Sequence, residues 1–224
     1  MNRKVVVVTG AGGPAGDAVV RRLAADGDVV VAVDARPHRE DIPGVRHFVL
    51  DLLQPHAVGD LAREIGAEYG RVDGVVHLVG GWRGSKTFSD TSLEDWDLLH
   101  DLLIRTLQHV SLAFEPLLAK SERGRFAIVS ATAAQAPTQG NAAYATAKAA
   151  AEAWTLALAD AFAGTATAAT ILVVKALVHP AMRAERPDAA FAGFTDVRTL
   201  ADAVAGLWDA PAEALNGTRL DLTK

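Results

Sequence analysis

The sequence contains no cysteine, and this absence excludes several kinds of chemistry. Disulfides, thiolate metal sites and thiol nucleophiles all require a residue that the chain lacks. Its seven histidines never stand in the HxH or HExxH spacing of a metal site, so we predict no bound metal. The lack of cysteine by itself leaves the redox compartment undecided.

A long apolar run and an excess of positive charge are also missing. No apolar stretch approaches the roughly 18 residues that a membrane span needs. The valines at 5–8 are too few for the apolar core of a signal peptide, and a glycine-rich turn follows them. The net charge of −5 gives no electrostatic reason to expect nucleic acid or an anionic membrane as partner. We therefore expect a soluble cytoplasmic protein whose partner is a small-molecule substrate.

What the sequence does have is a regular alternation of two hydrophobic periods. Short apolar runs predict buried strands, and longer amphipathic stretches predict helices between them. The predicted strands cover residues 4–9, 28–33, 45–50, 73–79, 125–130, 167–174 and 218–222. The predicted helices cover residues 14–25, 55–69, 92–120, 142–162 and 199–209. This alternation with short connections favours an α/β fold, in which a parallel sheet carries helices on both faces.

No linker, charge block or repeat interrupts this alternation, so we predict one domain over residues 1–224. Ser92 is the expected N-cap of the third helix. The least regular region, 179–196, follows the sixth strand on the carboxyl side of the sheet, where such folds bind ligands. His179 and Met182 in this region are candidates for contact with a substrate. An ordinary surface position is the alternative for the histidine.

A glycine-rich stretch, TGAGGPAG, joins the first strand to the first helix. Gly10, Gly13 and Gly16 in it have the spacing GxxGxxG. Glycine permits a sharp turn and lets a pyrophosphate approach the free N–H groups at the helix N-terminus. Pro14 suits the first helical turn but removes one N–H, and Ala15 belongs to the same candidate phosphate loop. A plain glycine-rich turn is the alternative interpretation.

A carboxylate ends the second strand, 18 residues after the last glycine of that loop. Asp34 at this position can accept hydrogen bonds from an adenosine ribose and would repel a 2′-phosphate, which favours NAD(H) over NADP(H). Arg36 and Arg39 keep NADP(H) open, because either can meet a phosphate. A simple turn aspartate is the alternative. Asp51, with Leu52 beside it, follows the third strand and either meets the adenine edge or merely ends that strand.

Tyr144 and Lys148 stand one helical turn apart, so they share a helix face. An isolated tyrosine has a pKa near 10 and is a poor acid or base at neutral pH. We expect the nearby ammonium to lower the tyrosine pKa, so that the pair can move a proton to or from a carbonyl oxygen. Taken alone, YxxxK is more often a residue pair on a solvated helix face.

The order of these features resembles the short-chain dehydrogenase/reductase family. The matching series runs from the strand, glycine loop and helix through Asp34, Asp51 and a glycine-rich end of the fourth strand at Gly80. It closes on YxxxK in the helix after the fifth strand. The resemblance covers residues 4 to about 222. It implies a three-layer Rossmann fold, a doubly wound parallel sheet of about seven strands.

The resemblance also implies roles for single residues and for two helices. Tyr144 is expected as the catalytic acid or base, and Lys148 as the bridge to the nicotinamide ribose. Val79 and the glycine after it are expected beside bound NAD(H) or NADP(H). A homodimer or homotetramer is implied, built on the helices at 92–120 and 142–162.

Some positions depart from the family pattern. The family has a serine 13 residues before its tyrosine, and this position here is Ala131. Ser130 and Thr132 flank it, but adjacent residues of a strand point to opposite faces, so neither replaces the serine without a bulge or turn. The asparagine of the family's fourth helix falls at about Leu103. Either a flanking hydroxyl is brought into the site, or the substrate is reactive enough to need no helper.

One branch of the family, the dihydropteridine reductase-like enzymes, resembles the chain at this position. Those enzymes also have GxxGxxG, a Gly-Gly-Trp run after the fourth strand, and alanine in place of the serine. They prefer NADH and reduce a quinonoid pterin, an electron-poor ring that needs less help than a ketone. Trp82 is therefore a candidate to stack on a flat substrate, with ordinary loop packing as the alternative. Ala131 is expected to line the same substrate site.

Together these residues favour an NAD(P)H-dependent reductase that passes hydride to an activated carbonyl, imine or quinonoid substrate. Tyr144 would supply the proton. Two alternatives stay open: a dinucleotide-binding scaffold that acts as a sensor or partner without redox activity, and a biosynthetic cyclase or dehydratase that uses the tyrosine without hydride transfer. Loss of the serine and the asparagine motivates the scaffold, whereas the retained tyrosine–lysine pair speaks against it.

Overall fold

Seven parallel strands form the centre of the protein. The computed structural model describes residues 3–37 and 40–223. The strands of these residues are β1 Val5–Thr9, β2 Val29–Asp34, β3 Val45–Val49, β4 Gly74–His77, β5 Arg125–Ala131, β6 Ala168–Val174, β7 Leu177–Val178, β8 Thr195–Asp196 and β9 Arg219–Asp221. The short strands β7 and β8 form a separate pair, and the other seven form the central sheet. The order across the sheet is β3-β2-β1-β4-β5-β6-β9, and each neighbouring pair is parallel. This confirms the predicted doubly wound sheet.

Helices cover both faces of the sheet. They are α1 Pro14–Ala25, α2 Pro55–Tyr69, α3 Leu93–His100, α4 Thr106–Leu118, α5 Ala142–Ala161, α6 Pro180–Glu185, α7 Val197–Ala205 and α8 Ala212–Leu215. A proline starts α1 and α2, where its missing N–H costs the helix no hydrogen bond. The Ser92 hydroxyl accepts the Asp95 N–H at 3.1 Å, which confirms the predicted N-cap of α3. Over residues 3–37 and 40–223, none of the helices has the length and apolar character to cross a membrane.

The strand β1 shows how the sheet is buried from both sides. Its side chains alternate, so Val5 and Val7 pack with residues of α2, α4 and α5, whereas Val6 and Val8 pack with residues of α1 and α7. Burying one such valine contributes about 1.5–3 kcal/mol. The two-sided core therefore makes the sheet a rigid platform for the loops at its carboxyl edge.

The strand order reverses direction between β1 and β4. Open α/β sheets bind ligands in the crevice that such a reversal leaves at the carboxyl ends of the strands. The loop that follows β1 and the loop that follows β4 both begin at this crevice. The fold therefore brings the glycine-rich stretch and the residues around Gly80 to one edge of the sheet.

The long helix predicted at 92–120 is interrupted. A π-helical turn, Asp101–Arg105, separates α3 from α4. The Thr106 N–H bonds to the Asp101 carbonyl, and the Thr106 hydroxyl donates to the Leu102 carbonyl at 2.7 Å. The Leu102 carbonyl of the widened turn therefore accepts a hydrogen bond from a side-chain hydroxyl. A π-helical turn contains one residue more than an α-helical turn. The hydrophobic periodicity of residues 92–120 gives no indication of this added residue.

The region after the sixth strand is more ordered than its sequence indicates. Residues 179–196 contain α6, and β7 and β8 pair in parallel on either side of it. Phe191 has a φ of 46°, a conformation that residues other than glycine rarely adopt, and its ring meets Phe194 edge-on at 5.7 Å. The helix α7 begins two residues before the predicted start, because the Asp196 carboxylate accepts the Arg198 N–H and caps it.

Candidate active site

The loop between β1 and α1 requires glycine at two positions. Gly10 has a φ of 72°, and a Cβ on it would stand 2.8 Å from the backbone that follows β4. A Cβ on Gly16 would stand 2.1 Å from the Gly10 carbonyl oxygen. Gly13 caps α1 and has no such conflict, since a Cβ there meets no atom nearer than 3.5 Å. Pro14 and Ala15 follow as the first helical residues, so the loop opens onto the N-terminus of α1.

The carboxylate at the end of β2 is tied to this loop. The Asp34 Oδ2 atom accepts the Gly12 N–H at 2.9 Å, and its Oδ1 atom accepts the Arg36 N–H at 3.1 Å. The Arg36 guanidinium is exposed and stands 3.9 Å from Oδ1. Arg39, the second arginine considered as a phosphate contact, lies outside the described residues. Two backbone N–H groups therefore fix where the negative charge of Asp34 sits.

A cavity of about 260 Å³ lies at the crevice between the strand ends. It brings together eight of the predicted cofactor residues, namely Gly10, Gly13, Asp34, Arg36, Asp51, Leu52, Val79 and Gly80. A second space of about 520 Å³ shares three of these residues and extends along the start of α1. A helix N-terminus and a strand-end carboxylate beside one cavity are the groups that a dinucleotide requires, so these residues fit that cofactor.

Asp51 both lines this cavity and shapes the turn after β3. Its Oδ1 atom accepts the Leu53 N–H at 2.9 Å, and its Oδ2 atom accepts from the Gln54 side chain at 3.3 Å. The side chain of Leu52 is buried, and its carbonyl bonds to Nδ1 of His109 at 2.8 Å. The two interpretations of Asp51, adenine contact and strand-end turn, therefore do not exclude each other.

Tyr144 and Lys148 lie on α5, as the spacing predicts. Lys148 is only 8% exposed, and its Nζ atom donates to the Val129 carbonyl at 2.7 Å. The same Nζ atom stands 5.9 Å from the centroid of the Tyr144 ring. The ammonium therefore lies over the ring of the tyrosine and is anchored to the strand β5.

The pKa of Tyr144 is shifted in the direction opposite to the one that the sequence predicts. Burial raises the pKa of Tyr144 to about 12, whereas the sequence predicts that the neighbouring lysine lowers it. The cause is the burial of the phenol, which disfavours its ionised form. Burial also lowers the pKa of Lys148 to about 8, and the charge of Glu152 partly opposes that change. Tyr144 consequently keeps its proton at neutral pH, as a proton donor must.

The hydroxyl groups around Ala131 are placed differently from each other. Ala131 ends β5 and pairs in regular register with Val174, so the strand has no bulge there. Ser130 is fully buried, and its hydroxyl donates to Glu152 Oε1 at 2.5 Å. Thr132 is exposed and begins a short 3-10 turn. A helper role for Ser130 would require its hydroxyl to leave Glu152, while Thr132 carries no such contact to the carboxylate.

A buried histidine lies beneath the same site. His77 stands with Nδ1 at 2.7 Å from the Thr9 hydroxyl and Nε2 at 3.2 Å from the Thr106 hydroxyl. Because the Thr106 hydroxyl already donates its hydrogen bond to the Leu102 carbonyl, it must accept from the imidazole, and we assign the imidazole proton to Nε2. Burial, reinforced by the charge of Lys148, lowers the pKa of His77 to about 3, so the ring is neutral. The sequence interpretation of His77 as a hydrogen-bonded interior residue is confirmed.

Four residues are candidates for substrate contact: Ala131 ends β5, Trp82 lies in the loop after β4, and His179 and Met182 lie at the start of α6. Trp82 is 63% exposed, and its indole packs against Gly84, where a Cβ would stand 2.5 Å from the ring. Nδ1 of His179 accepts the Met182 N–H at 3.4 Å and caps α6. His179 also borders a groove beside Ala18 of α1. The structure therefore gives the histidine a capping contact and leaves the tryptophan at the loop surface.

Sequence reasoning missed three residues of this site, Glu152, Thr106 and Arg219. A signal exists for Glu152, which stands four residues after Lys148 and so on the same helix face. Nothing in the sequence connects it to Arg219, 67 residues away, because the two meet only through the pairing of β6 with β9.

Comparison with known proteins bears on the family of this chain. The family model described as short chain dehydrogenase matches residues 4–189. An uncharacterized oxidoreductase of Staphylococcus epidermidis is 29% identical over 176 residues, which is 76% of each chain. The NADP-dependent 3-hydroxy acid dehydrogenase YdfG of Escherichia coli K12 is 27% identical over 172 residues, 74% of this chain and 69% of the relative.

Solved structures show the same fold. The ligand-free aldohexose dehydrogenase of Thermoplasma acidophilum superposes with a TM-score of 0.83 at 21% identity, covering 98% of this chain and 92% of that one. A short chain dehydrogenase of Shigella flexneri complexed with NADP gives 0.83 at 20% identity, covering 100% and 98%. Because the family model spans most of the chain and the named relatives are oxidoreductases, this protein belongs to the short-chain dehydrogenase/reductase family and is an NAD(P)-dependent oxidoreductase.

Proposed function

We propose that this protein is a reductase that passes hydride from NAD(P)H to an activated carbonyl, imine or quinonoid carbon. The observation that carries the proposal is the placement of Tyr144 one turn from the buried Lys148, whose Nζ atom lies 5.9 Å from the centroid of the tyrosine ring, on the helix that follows β5. A tyrosine whose pKa is about 12 holds its proton until charge develops on a substrate oxygen or nitrogen. Reduction is the direction that consumes this proton.

Each residue has a separate task in this proposal. The N–H groups at the start of α1, exposed by Gly10 and Gly16, bind the pyrophosphate, and Asp34 accepts from the adenosine ribose. Lys148 binds the nicotinamide ribose. The bound nicotinamide supplies the hydride. Tyr144 donates the proton from its hydroxyl to the substrate heteroatom.

The surroundings of Ala131 support an acceptor that needs little activation. The alanine presents no hydroxyl, and the hydroxyl of Ser130 is already donated to Glu152. A simple ketone gains part of its polarisation from a second donor, whereas an electron-poor quinonoid or imine carbon accepts hydride more readily. We therefore propose an activated substrate, with the exposed Trp82 as the surface on which a flat ring would stack.

We also propose NAD(H) as the preferred cofactor, although relatives and neighbours are described with NADP. The fixed carboxylate of Asp34 supports this choice, because it would face a 2′-phosphate at short range. A homodimer or homotetramer through the helices at 92–120 and 142–162 is proposed from their exposed leucines. Leu112 on α4 is 66% exposed and Leu156 on α5 is 43% exposed.

The proposal is tested by replacing each of the two tyrosines of the chain. Tyr144→Phe should lower turnover about 100-fold or more over a panel of activated carbonyls, imines and a quinonoid pterin, while the NADH dissociation constant stays nearly unchanged. Tyr69→Phe, at the end of α2, is the matched control and should keep wild-type turnover. If Tyr144→Phe retains full activity, this tyrosine is not the acid. NADH binding without turnover of any substrate would favour the redox-inactive scaffold.

A further inference from the structure

Three side chains with acid–base chemistry follow one face of α5. Tyr144, Lys148 and Glu152 stand four residues apart in series, so each lies one turn beyond the last. Lys148 is 8% exposed and Glu152 is 7% exposed. A buried cation and a buried anion on adjacent turns are rarely tolerated unless each has partners, because both lose hydration.

Two donors from other elements hold the carboxylate of Glu152. The Ser130 hydroxyl of β5 donates to Oε1 at 2.5 Å, and Nη2 of Arg219 on β9 donates to the same oxygen at 3.1 Å. Nε of Arg219 forms an ion pair with Oε2 at 3.0 Å. The carboxylate is therefore anchored to two strands of the sheet, one turn from the lysine.

We propose that Glu152 is a positioning residue of the active site. Its buried carboxylate holds Lys148 on the inner face of α5 as an ammonium ion, and Ser130 and Arg219 fix the carboxylate for that task. The inference rests on the proposed function in one respect, since it assigns Lys148 the role of binding ribose and assisting Tyr144. Glu152 acts through Lys148, and the proposal assigns it no contact with substrate.

The groups around Lys148 explain why a local anion matters. From its own helix it faces Tyr144 and Glu152, and from β4 it faces His77, which is neutral. The Val129 carbonyl of β5 accepts a hydrogen bond from the Nζ atom of Lys148. The charge of Arg219 is turned toward Glu152. Burial draws the pKa of Lys148 down to about 8, and Glu152 is the group that opposes this change.

Loss of the carboxylate charge would consequently leave more of Lys148 as a neutral amine at pH 7–8. A neutral amine exerts no electrostatic pull on the Tyr144 phenol, and it offers the ribose two N–H donors instead of three. Ser130 is thereby given a task different from that of the family's helper serine. It orients the carboxylate that acts on the lysine.

The test measures the Lys148 pKa directly, by the pH dependence of its ¹³Cε signal in lysine-labelled full-length protein without cofactor or substrate. The chain has six lysines, and Lys148→Arg assigns the signal. Glu152→Gln keeps an oxygen that can accept from Ser130 but removes the charge. It should lower the Lys148 pKa by about one unit or more. Ser130→Ala keeps the charge and should move this pKa by less than about half a unit.

In Glu152→Gln, the loss of the carboxylate charge also leaves Arg219 unpaired. Two further variants separate the effects of these two changes on the Lys148 pKa. Arg219→Met should raise the Lys148 pKa, because the carboxylate then acts on the lysine alone. Glu152→Gln combined with Arg219→Met should lower it again. A Lys148 pKa that stays within about 0.3 units of wild type in both the double variant and Arg219→Met would overturn the proposal. Since no cofactor is present, this result is independent of whether the protein reduces any substrate.

The enzymatic readout is the pH profile of NADH consumption. In Glu152→Gln the alkaline limb of kcat should move to lower pH, the direction of the NMR shift, and in Ser130→Ala, which keeps the charge, it should move less. A limb that does not move, with a shifted Lys148 pKa, would contradict the catalytic half of the proposal. A circular dichroism spectrum and a melting curve for each variant verify that the folded protein is being compared.

Discussion

The buried histidine beneath the cofactor cavity predicts a specific dependence of stability on pH. His77 is hydrogen-bonded to the Thr9 and Thr106 hydroxyls, and burial lowers its pKa from the ordinary value of 6.5 to about 3. In the unfolded chain the imidazole takes up a proton as the pH falls below 6.5, whereas the folded protein takes it up only near pH 3. Between these values the unfolded state binds more protons, so acidification lowers the free energy of unfolding.

The size of this effect follows from the two pKa values. Each pH unit between them changes the free energy of unfolding by about 1.4 kcal/mol. Acidification from pH 6.5 to 4.5 therefore removes about 2.5 kcal/mol through His77 alone. That is a large part of the 5–15 kcal/mol that typically separates the folded from the unfolded state.

Urea unfolding at pH 6.5 and 4.5, followed by tryptophan fluorescence at one protein concentration, measures this effect. His77→Gln removes the titrating group and keeps hydrogen-bonding atoms. Between the two pH values, the free energy of unfolding of this variant should therefore fall by about 2.5 kcal/mol less than that of wild type. His56→Gln is the control, because His56 is exposed on α2 and its loss should leave the wild-type pH dependence. Equal pH dependence in wild type and His77→Gln would refute the reasoning.

Further predictions concern the loop, the cofactor and the subunit contact. Gly16→Ala should lose about 2 kcal/mol or more in urea unfolding and bind NADH about tenfold more weakly, since its Cβ would stand 2.1 Å from a loop carbonyl oxygen. Gly13→Ala should lose less than about 1 kcal/mol, and equal losses in the two variants would contradict the steric argument. Asp34→Asn should narrow the preference for NADH over NADPH by about tenfold in fluorescence titrations; an unchanged ratio would remove the basis for NAD(H). Leu112→Arg should reduce the particle mass measured by light scattering. Val49→Arg is the control, because Val49 of β3 is similarly exposed, and it should leave this mass unchanged. Equal masses for Leu112→Arg and wild type would exclude α4 from the interface.

The sheet and most helix boundaries were predictable because they depend on local patterns. The apolar runs predict the seven strands of the sheet to within a few residues, and Pro14 and Pro55 mark the exact first residues of α1 and α2. The glycine loop was equally readable, since a turn that excludes Cβ atoms requires glycine at Gly10 and Gly16. Helical spacing likewise predicts that Tyr144 and Lys148 share a face of α5.

What the sequence could not supply are the contacts that cross elements. The π-helical turn at Asp101–Arg105 has the same apolar pattern as a continuous helix, because one added residue shifts the face only locally. The Ser130–Glu152 bond depends on how α5 lies against β5, which no periodicity specifies. The raised pKa of Tyr144 is a matter of burial, and the sequence shows only that a lysine is near.

The central claim, hydride transfer with Tyr144 as the acid, is tested most directly with NADH deuterated at C4. The two deuterated diastereomers are supplied separately with the most reactive acceptor of the panel, and the product is examined by mass spectrometry. Our account predicts one deuterium in the product from one diastereomer and none from the other, at a rate that Tyr144→Phe greatly reduces. Product that carries no deuterium from either diastereomer would contradict hydride transfer and favour a cyclase or dehydratase.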